Sequence, residues 1–532
     1  MRSFGILLVL AGTALSVFGQ TNSLELRKLS LEDCIQAALE HNLDVKIKRF
    51  NPQISKSTLR AAYGVYDPSL MMSGGHESTV SPGGITSQGL NYPGTEMDIN
   101  TFNSTLGGML PWGTTYSIGA QASDTYGLEP GMAVGSANLV TNSFVNINNG
   151  QTVSYLSTNY STVTTRNFFE SVSSSVGLAS FDQPLLKNFW IDNARLQIFL
   201  DKRNLKITEL DLRAQVMNTI TAVEQAYYNL IFAQENIVVQ QKALQLAQQL
   251  LAENKRRVEV GTLAPLDEKQ AESQAASSQA DLLAALGTES TQQRVLKSLL
   301  SDEYSKWKDV SVRPTEQLAA IPQPFDLQDS WSKGMSMRPD LLQEKLALEK
   351  QGYIVKFQKN QLLPQMDVVG SAGYNASSTV SFDNAMTQLG GRDNPYWMIG
   401  GQMTFPLGNI NARNTYKAAK LTREQIVLQL KQLQQNILIQ IEDAIETAKT
   451  ALQRAAATRE ARIYAGAALD AEQKKLENGK STSFQVLQLQ RDLTTARSTE
   501  IRALADYNIA LANLAVNEGT TLERRHVKLD VK

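Results

Sequence analysis

The sequence predicts an α+β membrane protein. Long α-helical hairpins form a coiled-coil tunnel, and transmembrane β-strands complete an intermolecular β-barrel, on the plan of an internal twofold repeat. Three observations predict this: two Gly- and Pro-poor segments with narrow apolar stripes, a Gly-, Ser- and Thr-rich segment with alternating polarity, and a chain that matches itself at fixed offsets. The balance of charge adds an exclusion. With 51 Lys and Arg against 52 Asp and Glu, the net charge of −1 leaves no excess to neutralise phosphates, so no nucleic-acid partner is expected. The one cysteine, Cys34, rules out a disulfide framework and a multi-Cys zinc site; the three histidines, His41, His76 and His526, are scattered, so histidine-based metal chemistry and a cofactor are not expected.

At the start of the chain, Arg2, the apolar run from Ile6 to Val17 and small Gly19 read as a secretory signal peptide over residues 1–19. The run is too short for a transmembrane helix. No later stretch is apolar enough to span, so an exported chain is either soluble or a β-barrel. The segment 185–260 has no Gly or Pro and could form a helix of about 110 Å. Its stripe of Leu212, Val216, Ile220, Val223, Tyr227 and Leu230 has the 4- and 3-residue spacing of a coiled coil. The segment 409–478 carries a second stripe, including Ile437, Ile441, Ala444, Ala448 and Ala451. Shorter helical runs at 266–305 and 480–517 follow turns at Gly261 and Gly479, giving two long hairpins.

Residues 70–181 hold 15 of the 33 glycines and no lysine, and they alternate as antiparallel strands do. Residues 366–377 and 396–405 look similar, with 378–394 a polar loop between them. On local pattern alone, membrane strands and a soluble β-rich or disordered insert are equally compatible. The repeat adds the deciding constraint. At an offset of 296, Leu31 meets Leu327, Asp44 meets Asp340 and Pro68 meets Pro364; at 218, Glu224 meets Glu442, Glu259 meets Glu477 and Gly261 meets Gly479. The first repeat spans 24–307, with short helices 30–66, strands 69–182 and a hairpin 185–307. The second spans 308–522, with short helices 326–363, strands 365–406 and a hairpin 409–518, and 523–532 is a tail. Pro68, Pro184, Pro364 and Pro406 fall where helical and strand patterns meet. A helix this long cannot bury its stripe in a compact domain, and a few strands cannot leave open edges in lipid, so several chains must close one barrel.

These pieces resemble the TolC-like outer-membrane efflux protein family. The resemblance rests on the duplicated order, on "LSLEDCIQAALEHNLDV", on the "FDQPL" and "MTFPLG" junctions, on "EQAYYNL", and on the tips "RRVEVGTLAPLDEKQAES" and "KKLENGKSTSFQVLQLQRDL". It implies a homotrimer in the outer membrane, extending into the periplasm. Such a trimer would be a passive exit duct of a tripartite efflux or type I secretion system, recruited by a periplasmic adaptor and an inner-membrane transporter. The tips, Gly261, Thr262 and Leu263 with Gly479, Lys480, Ser481 and Thr482, would then dock the adaptor. Asp267, Gln485 and Gln488 would line the periplasmic entrance, where relatives often carry acids and this chain carries two amides. Four membrane strands per chain would be usual. Here "TLGGMLPWGTTYSIGAQ" at 105–121 reads as an additional hairpin around Pro111 to Gly113, which spans the membrane or decorates a loop.

Trp112, Trp397, Phe168 and Phe169 sit at strand ends or turns, as an interfacial girdle or as ordinary packing. Cys34 lies on the first amphipathic helix as a small buried residue. No G-x-S-x-G, H-E-x-x-H or P-loop pattern is present, so an enzyme is not expected. The competing reading is a secreted or periplasmic coiled-coil scaffold without channel activity.

Overall fold

A computed structural model describes residues 25–85, 91–131, 134–145, 150–163 and 165–528. The expected signal peptide at 1–19 lies outside them. In chain order the elements are β1 (Glu25–Leu29), α1 (Leu31–His41), α2 (Leu43–Ala62), β2 (Ser69–Ser81), β3 (Gly84–Ile85), β4 (Asn91–Tyr92), β5 (Thr95–Met109), β6 (Thr115–Pro130), β7 (Val134–Val145), β8 (Thr152–Val163) and β9 (Arg166–Pro184). Then come α3 (Asn193–Glu259), α4 (Pro265–Leu300), β10 (Val310–Pro314), α5 (Leu327–Met337), α6 (Pro339–Asn360), β11 (Gln365–Ser378), α7 (Phe382–Gly391), β12 (Pro395–Thr404), α8 (Ile410–Glu477), α9 (Ser483–Glu518) and α10 (Thr521–Arg524). Boundaries recur at the offsets seen in the sequence. α5, α6 and β11 begin 296 residues after α1, α2 and β2, and α9 begins and ends 218 residues after α4.

The chain divides into two units. The first takes in the described residues up to Ser55, together with 205–346 and 427–528. Here α1 begins on a capping box: the Asp33 amide donates to Ser30 Oγ at 3.2 Å and the Ser30 amide to Asp33 Oδ2 at 3.0 Å. The α3 stripe from Leu212 to Leu230 is buried against Leu31, Cys34 and Ile35 of α1 and Leu296 and Leu300 of α4. At about 1.5–3 kcal/mol per large apolar side chain, that stripe is the main stabilising term of this layer. The second stripe, on α8, buries Ile437, Ile441, Ala444, Ala448 and Ala451. Gly334 lets α5 close onto it, since a Cβ there would run into Ile441. The sequence pattern did not show that β1 and β10 form a parallel two-stranded ladder. Gln293 of α4 covers its edge, accepting from the Val312 amide at 3.0 Å and donating to the Val312 carbonyl at 2.7 Å. Tyr227 Oη donates to the Leu29 carbonyl at 3.1 Å and accepts from the Thr315 amide at 3.3 Å. Burial pushes its hydroxyl pKa up to about 12.

The second unit takes in 56–204 and 347–426. It contains a six-stranded antiparallel sheet in the order β12-β11-β9-β6-β5-β2. The sheet is open, with β2 and β12 as its edges. β7 and β8 form their own hairpin, and β3 pairs with β4.

Two expectations need correction. Residues 185–192 are not helical: Leu185 bonds back to the Met366 carbonyl at 2.7 Å, Asn188 turns left-handed at φ 65°, and α3 starts only at Asn193. Lack of Gly and Pro permits a helix but does not require one. The loop 378–394 contains α7, capped by Ser381 and held by Ala385 and Leu389 against Val172 and Ala376. Trp397 is the third residue of β12, paired with Ala372.

Candidate functional site

The two hairpin turns share one construction. At the first, the Thr262 amide reaches the Arg257 carbonyl at 2.8 Å and the Gly261 amide reaches that of Val258 at 3.0 Å. At the second, Lys480 reaches Lys475 at 2.9 Å and Gly479 reaches Leu476 at 3.1 Å. This is the Schellman closure, which needs a left-handed residue just past the helix; Gly261 and Gly479 supply it at φ 75° and 70°. Pro265 then opens α4, and Thr482 caps α9 by accepting from the Gln485 amide at 3.4 Å. Ser481 donates to Glu472, which with Lys475 holds that carboxyl below its usual range. Leu263 is half-buried, and Thr262 and Lys480 are exposed.

The structure brings the two tips together. Ser483 Oγ donates to Asp267 Oδ1 at 2.8 Å, and Asn254 Nδ2 donates to the Asp267 carbonyl at 3.3 Å. Leu250, Leu469, Val486 and Leu487 pack beneath them. Asp267 is therefore engaged within the fold and half-buried, whereas Gln485 is exposed. Gln488 is tied into a chain of its own: its amide donates to Asp492 at 3.2 Å and accepts from Arg491 at 2.7 Å. Sequence reasoning missed Asp492 and Arg491, although each lies within one helical turn of Gln488. It also missed three exposed apolar side chains on this end of the unit, Val260, Leu266 and Phe484.

The four junction prolines all flank strands. Pro68 precedes β2, Pro184 ends β9, Pro364 precedes β11 and Pro406 follows β12. The sheet between them has two unlike faces. Direct cross-strand partners share a face, and one complete row reads Leu70, Leu106, Ile118, Ala179, Ala372, Trp397. Behind it, on the opposite face, runs Ser69, Gly107, Ser117, Ser180, Ser371, Met398. Trp397 and Leu70 are 74% and 61% exposed, so the apolar face is uncovered in the isolated chain. Of the other aromatics singled out from the sequence, Trp112 lies exposed in the turn between β5 and β6, and Phe168 and Phe169 lie near the start of β9. No described helix is long and apolar enough to cross a membrane.

Comparison with known proteins agrees with this geometry. The profile of the family described as outer membrane efflux protein matches residues 153–301 and 333–519. The outer membrane efflux protein BepC of Brucella suis biovar 1 (strain 1330) is 24% identical over 330 residues, covering 62% of this chain and 67% of the relative. Among solved structures, the Campylobacter jejuni CmeC outer membrane channel superposes with a TM-score of 0.62 at 15% identity, covering 98% of this chain and 94% of its own. The open state of the Neisseria gonorrhoeae MtrE outer membrane channel superposes with a TM-score of 0.60 at 14% identity, covering 92% and 89%.

Proposed function

Because this chain belongs to the outer membrane efflux protein family, we propose that it is the exit duct of a tripartite efflux or type I secretion system. It is an outer-membrane efflux channel and not an enzyme. In the proposed assembly, three copies close one barrel and one helical tunnel. A periplasmic adaptor docks on the tips around Gly261 and Gly479, and an inner-membrane transporter supplies the substrate. Flow through the duct is passive, so specificity resides in the transporter. Gln485, with Asp267 and Gln488 behind it, lines the periplasmic entrance.

The observation that carries the reading is the open, two-faced sheet. Its edges β2 and β12 leave unpaired backbone groups, which lipid cannot satisfy, and both edges expose large apolar side chains. A six-stranded antiparallel sheet has edges that run in opposite directions, so β2 of one copy can pair with β12 of the next. A coiled-coil scaffold would need neither feature. Membrane fractionation separates the two readings. The duct stays in the membrane through alkali and migrates differently when unheated; extraction by salt or alkali would establish the scaffold.

A further inference from the structure

The hairpin of β5 and β6 lies within the sheet, between β2 and β9. We propose that it spans the membrane as part of the barrel wall, so that three copies close an eighteen-stranded barrel. The count rests on the trimer proposed above; the placement of the hairpin does not.

Three observations argue for it. The first is pairing. β9 does not pair with β2; it pairs with β6 along almost its whole length, from Asp182 opposite Thr115 to Arg166 opposite Pro130. β5 likewise pairs with β2 from Gly107 opposite Ser69 to Thr95 opposite Ser81. Removing the hairpin from the wall would strip β2 of its one ladder in the sheet and β9 of one of its two, and lipid does not tolerate unpaired strands.

The second is sidedness. Phe102, Leu106 and Ile118 fall on the apolar face and are exposed there, as are Leu70 and Trp397 in their neighbours. On the other face Asn103 and Gln121 are direct partners and continue a polar row through Ser73, Ser175 and Asn375. A hairpin decorating an aqueous loop has no need to match its neighbours residue by residue. A membrane strand must, because lipid-facing and lumen-facing positions alternate along it.

The third is length and margin. β5 and β6 have 15 and 16 residues, more than the roughly 9–11 that a tilted spanning strand requires. The two share an aromatic row with the rest of the sheet. Tyr116 lies across Gly108 just as Phe181 lies across Gly370: a Cβ on either glycine would meet the ring of its cross-strand partner. Barrel diameter grows nearly linearly with strand number, so eighteen strands give a wall about 1.5 times as wide as the twelve that four strands per chain would give.

Cysteine scanning of the full chain in proteoliposomes tests the placement. Single variants Asn103→Cys, Gln121→Cys, Leu106→Cys and Ile118→Cys are reacted with a charged, water-soluble thiol reagent. Ser175→Cys and Ala179→Cys serve as a ruler in β9. Native Cys34 is fully buried and serves as the unreactive background. Heat-modifiable migration confirms that each variant is folded. Asn103→Cys and Gln121→Cys should react at least about 10-fold faster than Leu106→Cys and Ile118→Cys, since access sets thiol reactivity at equal pKa. Equal, fast reaction at all four positions places the hairpin in water and overturns the proposal. Light scattering on the same preparation counts the chains. Sidedness with a mass other than three chains overturns the count of eighteen and the trimer together. Three chains without sidedness leaves the trimer standing and removes the hairpin from the wall.

Discussion

Glu224 and Arg525 form an ion pair inside the helical unit, 301 residues apart in sequence. Glu224 is 1% exposed, and the Arg525 side chain is 19% exposed. One carboxylate oxygen, Oε2, has no hydrogen-bond partner among the described residues, so the pair is the carboxylate's main compensation for lost hydration. Removing one member of a buried pair costs about 3–5 kcal/mol, because the other is left uncompensated. Partial exposure of Arg525 puts Glu224→Gln at the lower end, about 3 kcal/mol, which is on the order of 100-fold in an equilibrium constant. The loss should be local. Arg525 follows α10, whose Leu522 packs into the α1–α3 core, so the variant should release the segment 520–528 before the whole unit. Hydrogen exchange read by mass spectrometry checks this. Peptides covering 520–528 should exchange on the order of 100-fold faster while those covering 31–41 hold, and Glu224→Leu with Arg525→Met should recover most of the loss. Exchange within about 3-fold of the parent chain in Glu224→Gln would refute the view that this pair pins the segment.

Four further outcomes are expected. Gly261→Ala or Gly479→Ala should each cost about 1–2 kcal/mol at the turn, since L-residues disfavour the left-handed region. Gly261→Pro or Gly479→Pro should abolish export in cells without changing oligomer mass or barrel migration. The Cys34 thiol, pushed up to about 12 chiefly by burial and secondarily by Asp33 and Glu316, is protonated throughout pH 7–9 and should react with thiol reagents only after denaturation. Trivalent cations added from the periplasmic side should block conductance weakly. Gln485→Asp should strengthen the block, and Gln488→Asp should do so less, because Arg491 already bonds that side chain; both gains should fade with salt.

Much of the fold was legible because its signals are periodic. The stripe from Leu212 to Leu230 has one buried face whatever its neighbours are, and Gly261 and Gly479 mark turns whose left-handed backbone favours glycine. The additional hairpin was legible from Pro111 to Gly113, but its place in the sheet was not, since alternation fixes a strand's faces and not its neighbours. The start of α3 was missed because the Asn188 turn depends on long-range bonds, from the Asn188 amide to Asn360 and from Gln361 to the Asn188 side chain. α7 was missed because its ten residues carry little periodic signal and it is held by contacts with β9 and β11. At the tips the turn chemistry was readable and the surroundings were not. That Asp267 bonds Ser483, 216 residues away, cannot be seen in either segment alone.

The central claim is that copies of this chain close a conduit across the outer membrane. Planar-bilayer recording of the full-length purified protein tests it most directly. The account predicts discrete, stepwise ionic conductance from a preparation whose mass is three chains, lost when the protein is heat-denatured before insertion. Stable association with the bilayer without any conductance steps, in either orientation and without added cations, would contradict it.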